Sequence, residues 1–245
     1  MLFCSFLGAF GNAQGGEQGK DNILSIEEMV ANVRPSVVTI RHVGRGENDA
    51  GLGTGFVISP DGFIATNLHV IGEARPVSVE LADGRVFDVT EVYATDRNAD
   101  VAVIRIEVKG LQPLALAAAN SLRDGQEIIA IGNPHGLERS VVVGHVSGRR
   151  AIDGTEMIQL AIPIESGNSG GPLLDRSGQV HGILTLKSQV TRNLGFAVAA
   201  NHIDELMDNP NPVLLDRWLT IGQLDSTEWS TVGGGLWRQR AGRIT

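Results

Sequence analysis

Three short stretches carry residue types able to do covalent chemistry together: T-N-L-H-V with His69, R-N-A-D-V-A-V-I with Asp100, and G-N-S-G-G with Ser169. A serine hydroxyl is a poor nucleophile at neutral pH and needs an imidazole beside it as base. That imidazole in turn needs a carboxylate to fix its tautomer and stabilise its cation. Histidine suits the middle role because its unperturbed pKa is about 6.5. Attack on a carbonyl also creates an oxyanion, best held by backbone N–H groups converging from a sharp loop. The loop of Gly167, Asn168 and Ser169 is the candidate, with the N–H groups of Gly167 and Ser169 as donors. Gly167 and Gly170 relax the steric limits that such a turn imposes.

Each residue also has a plain structural reading. A Gly-Ser-Gly is commonly a turn, a lone histidine is commonly satisfied in a core, and a lone aspartate commonly caps a loop. Only the order His, Asp, Ser and the three local contexts together favour chemistry. The letters of 167–171 also fit G-x-S-x-G, the nucleophile elbow of α/β-hydrolases. That elbow requires a helix directly after the serine, whereas Gly170-Gly171-Pro172 followed by LLDRSGQVHGIL reads as strand, turn and strand. The hydrolase order would also place the acid and the histidine after the serine, where His181 lies inside a strand pattern and His202 precedes Asp204.

The elements that must position these residues are short strands. Ser25 and Glu28 form a capping-box pattern for a helix through about Val33, ended by Pro35. SVVTIRHV, GTGFVIS, FIATN, VSVEL, VFDVTEVYA and VAVIRIE follow as β-branched runs, punctuated by turn formers at 60–62 and 82–84. Residues 109–126 lack alternation and contain Pro113, which predicts a connector with some helical character. Then EIIAIG, VVVGHVSG, MIQLAIP, GPLLD, QVHGILTL and GFAVA predict a second set, before a helix NHIDELMD capped by Asn201. Two six-strand halves predict an all-β fold of two closed barrels, the arrangement that removes exposed strand edges. His69 and Asp100 fall in the first half and Ser169 in the second, so the site would assemble across the cleft.

The bulk numbers fit this reading. The 31 glycines and 4% aromatics suit many turns between short strands, and a net charge of -8 argues against a nucleic-acid surface. Cys4 is the only cysteine, which excludes an internal disulfide and multi-cysteine zinc sites. The remaining histidines, His42, His135, His145, His181 and His202, have no ligand-like spacing, so neither a metal nor an organic cofactor is expected. Residues 1–24 read as a leader and linker: MLFCSFLGAFGNAQ resembles the tail of a secretory signal peptide, and GGEQGKDNIL is polar and glycine-rich. Export is the expectation, and no later stretch is long and apolar enough to span a membrane.

With these motifs in hand, the chain resembles the trypsin-like peptidases of the HtrA (Deg) family over roughly residues 30–203. The resemblance rests on GTGFVISPDGFIATNLHVI, DRNADVAVIRI, AIGNPHGL, GHVSG, GNSGGPLLD and LGFAVAANHI. It implies a chymotrypsin-like double β-barrel with short N- and C-terminal helices. It also implies ATP-independent endopeptidase activity toward unfolded or misfolded proteins, residence in the bacterial envelope, periplasmic or otherwise, and a homo-trimer of which the sequence gives no independent sign. It carries over His69, Asp100 and Ser169 as triad members and Gly167 as an oxyanion donor. The peptidase domain is expected at 25–208, with barrel 1 at about 34–108 and barrel 2 at about 122–200.

Two departures stand out. Where the family usually reads T-D-A-A-I-N-P before the nucleophile loop, this chain has Leu160-Ala161-Ile162-Pro163-Ile164-Glu165-Ser166. By analogy Ile164, Glu165, Ile183, Leu184 and Thr185 are expected to line the substrate pocket, favouring small or medium apolar side chains, with Glu165 as a source of preference for basic residues instead. The family usually continues into a PDZ domain, but residues 209–245 do not resemble one. Asn209-Pro210-Asn211-Pro212 is a breaker cluster, and every tryptophan of the chain, Trp218, Trp229 and Trp237, lies beyond it. The tail resembles the opening strands of a laminin-G-like jelly roll, which would make the chain a fragment of a longer protein; the competing reading is a plain tail packing its tryptophans on the barrel.

Three functions stay open at this point. The first is a serine endopeptidase. The second is a catalytically silent, protease-like module that binds peptides. The third is an enzyme whose resting loop is ordered by a peptide or partner. In each case the expected partners are unfolded or misfolded polypeptides.

Overall fold

The computed structural model describes residues 25–42, 51–72, 76–133, 140–152, 154–165, 167–185, 194–220, 239–240 and 243–244. The leader, His135 in its G-N-P-H-G segment, Ser166, Trp229 and Trp237 lie outside the described residues.

The chain enters through α1 (Ile26–Val33), whose capping box is formed in full: Ser25 Oγ accepts from the Glu28 N–H, and the Glu28 carboxylate accepts from the Ser25 N–H. Six strands follow, β1 (Val37–His42), β2 (Gly51–Val57), β3 (Phe63–Asn67), β4 (Val77–Glu80), β5 (Val86–Asp96) and β6 (Val101–Ile106), with the short helix α2 (Leu68–Ile71) after β3. Their pairings run β4-β1-β2-β3-β6-β5 and return from β5 to β4, closing a barrel. The second set is β7 (Glu127–Gly132), β8 (Ser140–Ile152), β9 (Thr155–Leu160), β10 (Pro172–Leu174), β11 (Val180–Thr185) and β12 (Gly195–Ala199), closed in the order β10-β7-β8-β9-β12-β11. Strand for strand this is the order of the first barrel, and all twelve strands fall on the predicted runs.

Alternation along the strands builds three apolar layers. Val38, Ile40, Ile64, Val79 and Ile104 fill barrel 1, and Ile128, Leu160, Leu173, Leu184 and Ala197 fill barrel 2. The opposite faces, with Val37, Phe56, Val103, Ile131, Met157 and Ile183, pack together with Met29 and Val33 of α1 into a cluster shared by both barrels. Burial of each such side chain contributes roughly 1.5–3 kcal/mol, so the two halves are held as one body by apolar contact.

Two local expectations are corrected. Residues 109–126 form no helix; they bridge β11 through Leu116 and Val180 and then make turns at 119–120 and 124–125, because Pro113 and the need to satisfy the backbone against β11 outweigh the alanine content. Asn201 is the first residue of α3 (Asn201–Asp208), not its cap: Ala200 caps without a side-chain bond, and Asn201 Nδ2 donates to Glu205 at 3.0 Å. Past the predicted breaker the chain returns to barrel 1. β13 (Val213–Leu214) pairs with β5, and α4 (Leu215–Thr220) buries Trp218 in the barrel 1 cluster, its Nε1–H donating to the Gly72 carbonyl at 3.1 Å. Residues 239–240 and 243–244 form a small ladder of their own, β14 (Gln239–Arg240) with β15 (Arg243–Ile244).

Candidate active site

β3 ends in Thr66-Asn67 and passes directly into α2, which lifts His69 to the barrel rim with its side chain 47% exposed. Asp100 sits in the turn between β5 and β6 with φ 59°, a left-handed conformation that aspartate tolerates better than most side chains. Three bonds hold it there. Its carbonyl accepts from Asn67 Nδ2 at 2.9 Å and the Leu68 N–H at 3.1 Å, and its Oδ1 accepts from the His69 N–H at 3.0 Å. Oδ2 is then 2.6 Å from His69 Nδ1 and 3.4 Å from the Thr185 hydroxyl of β11. A carboxylate only accepts, so Nδ1 is the donor, and in the neutral ring Nε2 keeps its lone pair.

Ser169 lies in the turn 167–170 ahead of β10. Gly167 and Gly170 have φ of 99° and 85°, which glycine adopts without steric cost. The Gly171 N–H donates to the Asn168 carbonyl and the Asn168 N–H to the Glu165 carbonyl, both at 3.0 Å, winding the turn on itself. Of the three residues expected in an oxyanion hole, Asn168 therefore has its N–H bonded within the loop. Ser169 is only 4% exposed and its Oγ has no hydrogen-bond partner among the described residues, a costly state for a buried hydroxyl.

The loop is fastened to barrel 1 as well as barrel 2. The Thr54 N–H donates to the Ser169 carbonyl at 2.9 Å, and the Gly170 N–H donates to the Leu184 carbonyl at 2.9 Å. A Cβ on Gly170 would lie 2.0 Å from the Thr54 carbonyl oxygen and 2.3 Å from Thr66 Oγ1, so only glycine fits there. Around these bonds lie the buried side chains of Thr39, Thr54, Thr66, Asn67 and Asn133. Sequence reading passed over all of them, and over the Thr185 contact to Asp100. The signal available was a set of small polar residues on the inward positions of otherwise apolar strands.

The expected pocket residues separate. Thr185 reaches the site, while Ile183 and Leu184 are fully buried, one in the shared cluster and one inside barrel 2, because both faces of β11 are covered. Ile164 is partly buried and packs against barrel 2, close to the backbone of Gly195, and Glu165 is exposed.

A second Ser-His-Asp grouping lies elsewhere: Ser121 Oγ is 3.2 Å from His181 Nδ1, and His181 Nε2 is 2.9 Å from Asp175 Oδ2. Here the Ser121 hydroxyl donates to the Ala118 carbonyl at 2.7 Å, which directs its proton away from the imidazole. Burial pushes the Asp175 carboxyl up, but hydrogen bonds from His181, Ser177 and the Gln179 N–H outweigh it and hold the group below the ordinary carboxylate range. Among the described residues no group of three or more His, Cys, Asp or Glu side chains could hold a metal, and no helix is long and apolar enough to cross a membrane.

Comparison with known proteins agrees with this architecture. Residues 53–183 match the trypsin-like peptidase domain family. Serine protease HTRA1 of Xenopus laevis is 36% identical over 216 residues, covering 80% of this chain and 46% of that protein. A probable periplasmic serine endoprotease, DegP-like, of Chlamydia muridarum is 38% identical over 192 residues, covering 74% of this chain and 38% of that protein. The chain thus spans less than half the length of these curated relatives. The crystal structure of the serine endoprotease from Yersinia pestis superposes with a TM-score of 0.67 at 30% identity, covering 76% of this chain and 66% of that one. The HtrA-type protease AlgW with tripeptide gives 0.68 at 30% identity, covering 76% and 63%. Two closed barrels of matching strand order and a family match across more than half of the sequence lead to one conclusion: the chain belongs to the trypsin-like peptidases, with HtrA-type serine proteases as its relatives.

Proposed function

We propose that the chain is a serine endopeptidase that cleaves unfolded or misfolded polypeptides, with Ser169 as nucleophile, His69 as general base and acid, and Asp100 as the residue that orients the ring. The observation that carries this reading is the 2.6 Å bond from His69 Nδ1 to Asp100, which leaves Nε2 as the free base. The contacts running from Asp100 through Thr185 and Leu184 to Gly170 support it by linking Asp100 to the Ser169 loop.

In the first half-reaction the Ser169 Oγ–C bond forms as its proton moves to His69 Nε2. The resulting oxyanion is held by the N–H groups of Gly167 and Ser169. Collapse breaks the scissile C–N bond, and the departing amine takes the proton from Nε2. Water then repeats the sequence on the acyl-enzyme, its proton passing through Nε2 to Ser169 Oγ as the acid leaves. A relative whose name places it in the periplasm supports a site of action in the cell envelope.

The test is intact-mass detection of a fluorophosphonate adduct, with Ser169→Ala and His69→Ala alongside. Labelling of the wild type at Ser169 and of neither variant is expected; a folded wild type that stays unlabelled, with and without unfolded casein, overturns the reading in favour of a silent peptide-binding module. The Ser169 Oγ, which has no hydrogen-bond partner among the described residues, favours one refinement, in which the Ser169–His69 bond closes only as a peptide settles. Labelling that rises when casein is added is its signature.

A further inference from the structure

We infer that Thr54 is a positioning residue for the reaction: its hydroxyl is the pin by which barrel 1 sets the backbone of the nucleophile loop carried by barrel 2. The inference rests on the peptidase reading above and assigns a role to a side chain that no step of that mechanism uses.

Thr54 lies in β2 and is fully buried, so it cannot touch a substrate. Its polar groups nonetheless all point at the site. Oγ1 donates to the Gly167 carbonyl at 2.6 Å across 113 residues of sequence and accepts from the Asn133 N–H at 3.1 Å. Its N–H donates to the Ser169 carbonyl at 2.9 Å, and its own carbonyl accepts from Thr66 Oγ1 at 2.7 Å. Asn133 is itself held by Thr39, to which its Nδ2 donates at 2.7 Å.

The consequence is geometric. Gly167 has φ of 99° and no side chain, so nothing in its own covalent structure fixes how it is turned. A tether on its carbonyl sets ψ of Gly167, and a tether on the Ser169 carbonyl sets the far side of the turn. The Ser169 N–H lies between these two tethered carbonyls and the Gly167 N–H belongs to the peptide just before the first, and donors of that kind act only when aimed in advance. The Asn133 N–H also approaches the Gly167 carbonyl, at 3.3 Å, but without Oγ1 it would be the weaker restraint. β2 supplies the backbone bond to Ser169 whatever residue sits at 54; of the groups of Thr54, only the hydroxyl bonds Gly167.

The experiment compares Thr54→Val, which keeps the shape and removes the hydroxyl, with Thr54→Ser, which keeps the hydroxyl. Fluorophosphonate labelling rates, kcat and KM on a peptide substrate, and hydrogen exchange of the segment 165–171 are measured well below the melting temperature of each protein. For Thr54→Val the expectation is a fall in labelling rate and kcat of about 10- to 100-fold with KM nearly unchanged, and faster exchange at 165–171. Thr54→Ser is expected to restore both.

Equal labelling by wild type and Thr54→Val overturns the inference, as does a loss that Thr54→Ser fails to restore. A folded wild type that never labels instead overturns the nucleophile reading and this role with it, whereas a labelled wild type with an unaffected Thr54→Val overturns this role alone.

Discussion

The Nδ1 of His69 and the Oδ2 of Asp100 are 2.6 Å apart, although the two residues are separated by 31 positions and lie in α2 and in the β5–β6 turn of barrel 1. Asp100 also receives the His69 backbone N–H, so one carboxylate fixes both the ring and the peptide that carries it. Replacing Asp100 by asparagine keeps the shape but presents an N–H to the ring. The expected result is a folded protein whose turnover falls by roughly ten-thousand-fold, as the wrong tautomer comes to dominate. Steady-state cleavage of a quenched fluorescent peptide measures it, and a loss below tenfold would remove Asp100 from the mechanism.

Gly170 is the tightest point of the nucleophile loop. Gly170→Ala combines a positive φ with a Cβ 2.0 Å from the Thr54 carbonyl, so the two barrels must shift apart or the loop must deform. A loss on the order of 3 kcal/mol is expected in urea denaturation, together with loss of labelling at Ser169. Unchanged stability would mean that the loop tolerates a different path.

Asp175 makes the acid limb of stability predictable. Its carboxyl is held below the ordinary range by the hydrogen bonds from His181, Ser177 and Gln179. A depressed folded pKa contributes stability that is fully present above the unfolded value of about 3.9 and is lost as the pH falls through the lower folded value. Melting temperature is therefore expected to drop on acidification below about pH 4, and Asp175→Asn, less stable at pH 7, should show a shallower drop. Parallel curves for the two proteins would contradict this.

Trp218 ties the chain beyond α3 to barrel 1. It is 2% exposed and its Nε1–H bonds the Gly72 carbonyl, three residues after His69. Trp218→Ala should cost about 3 kcal/mol by cavity formation, and Trp218→Phe about 1 kcal/mol for the lost bond. Thermal unfolding followed by far-UV circular dichroism checks both; no change in either would mean that this segment does not contribute to the stability of the barrel.

The features legible before folding are local: the capping box at Ser25 and Glu28, the Pro-Asp-Gly turn, and twelve strands on runs of β-branched residues, each set by forces acting over a few residues. His69, Asp100 and Ser169 could be proposed as a triad from the sequence because serine chemistry demands those residue types and the surrounding motifs are specific. The contacts of those residues depend on packing between distant segments. Thr54 and Asn67 look like ordinary strand residues, Asn133 falls in a loop motif, and Thr185 was expected at a pocket and not on Asp100; what they do comes from partners up to 113 residues away. Ile183 and Leu184 were expected at a pocket and are core, because whether a strand face meets solvent or a second barrel is settled by packing. Trp218 likewise follows a breaker cluster that looks like a boundary, and only the apolar surface of barrel 1, available once its strands have closed, brings the chain back.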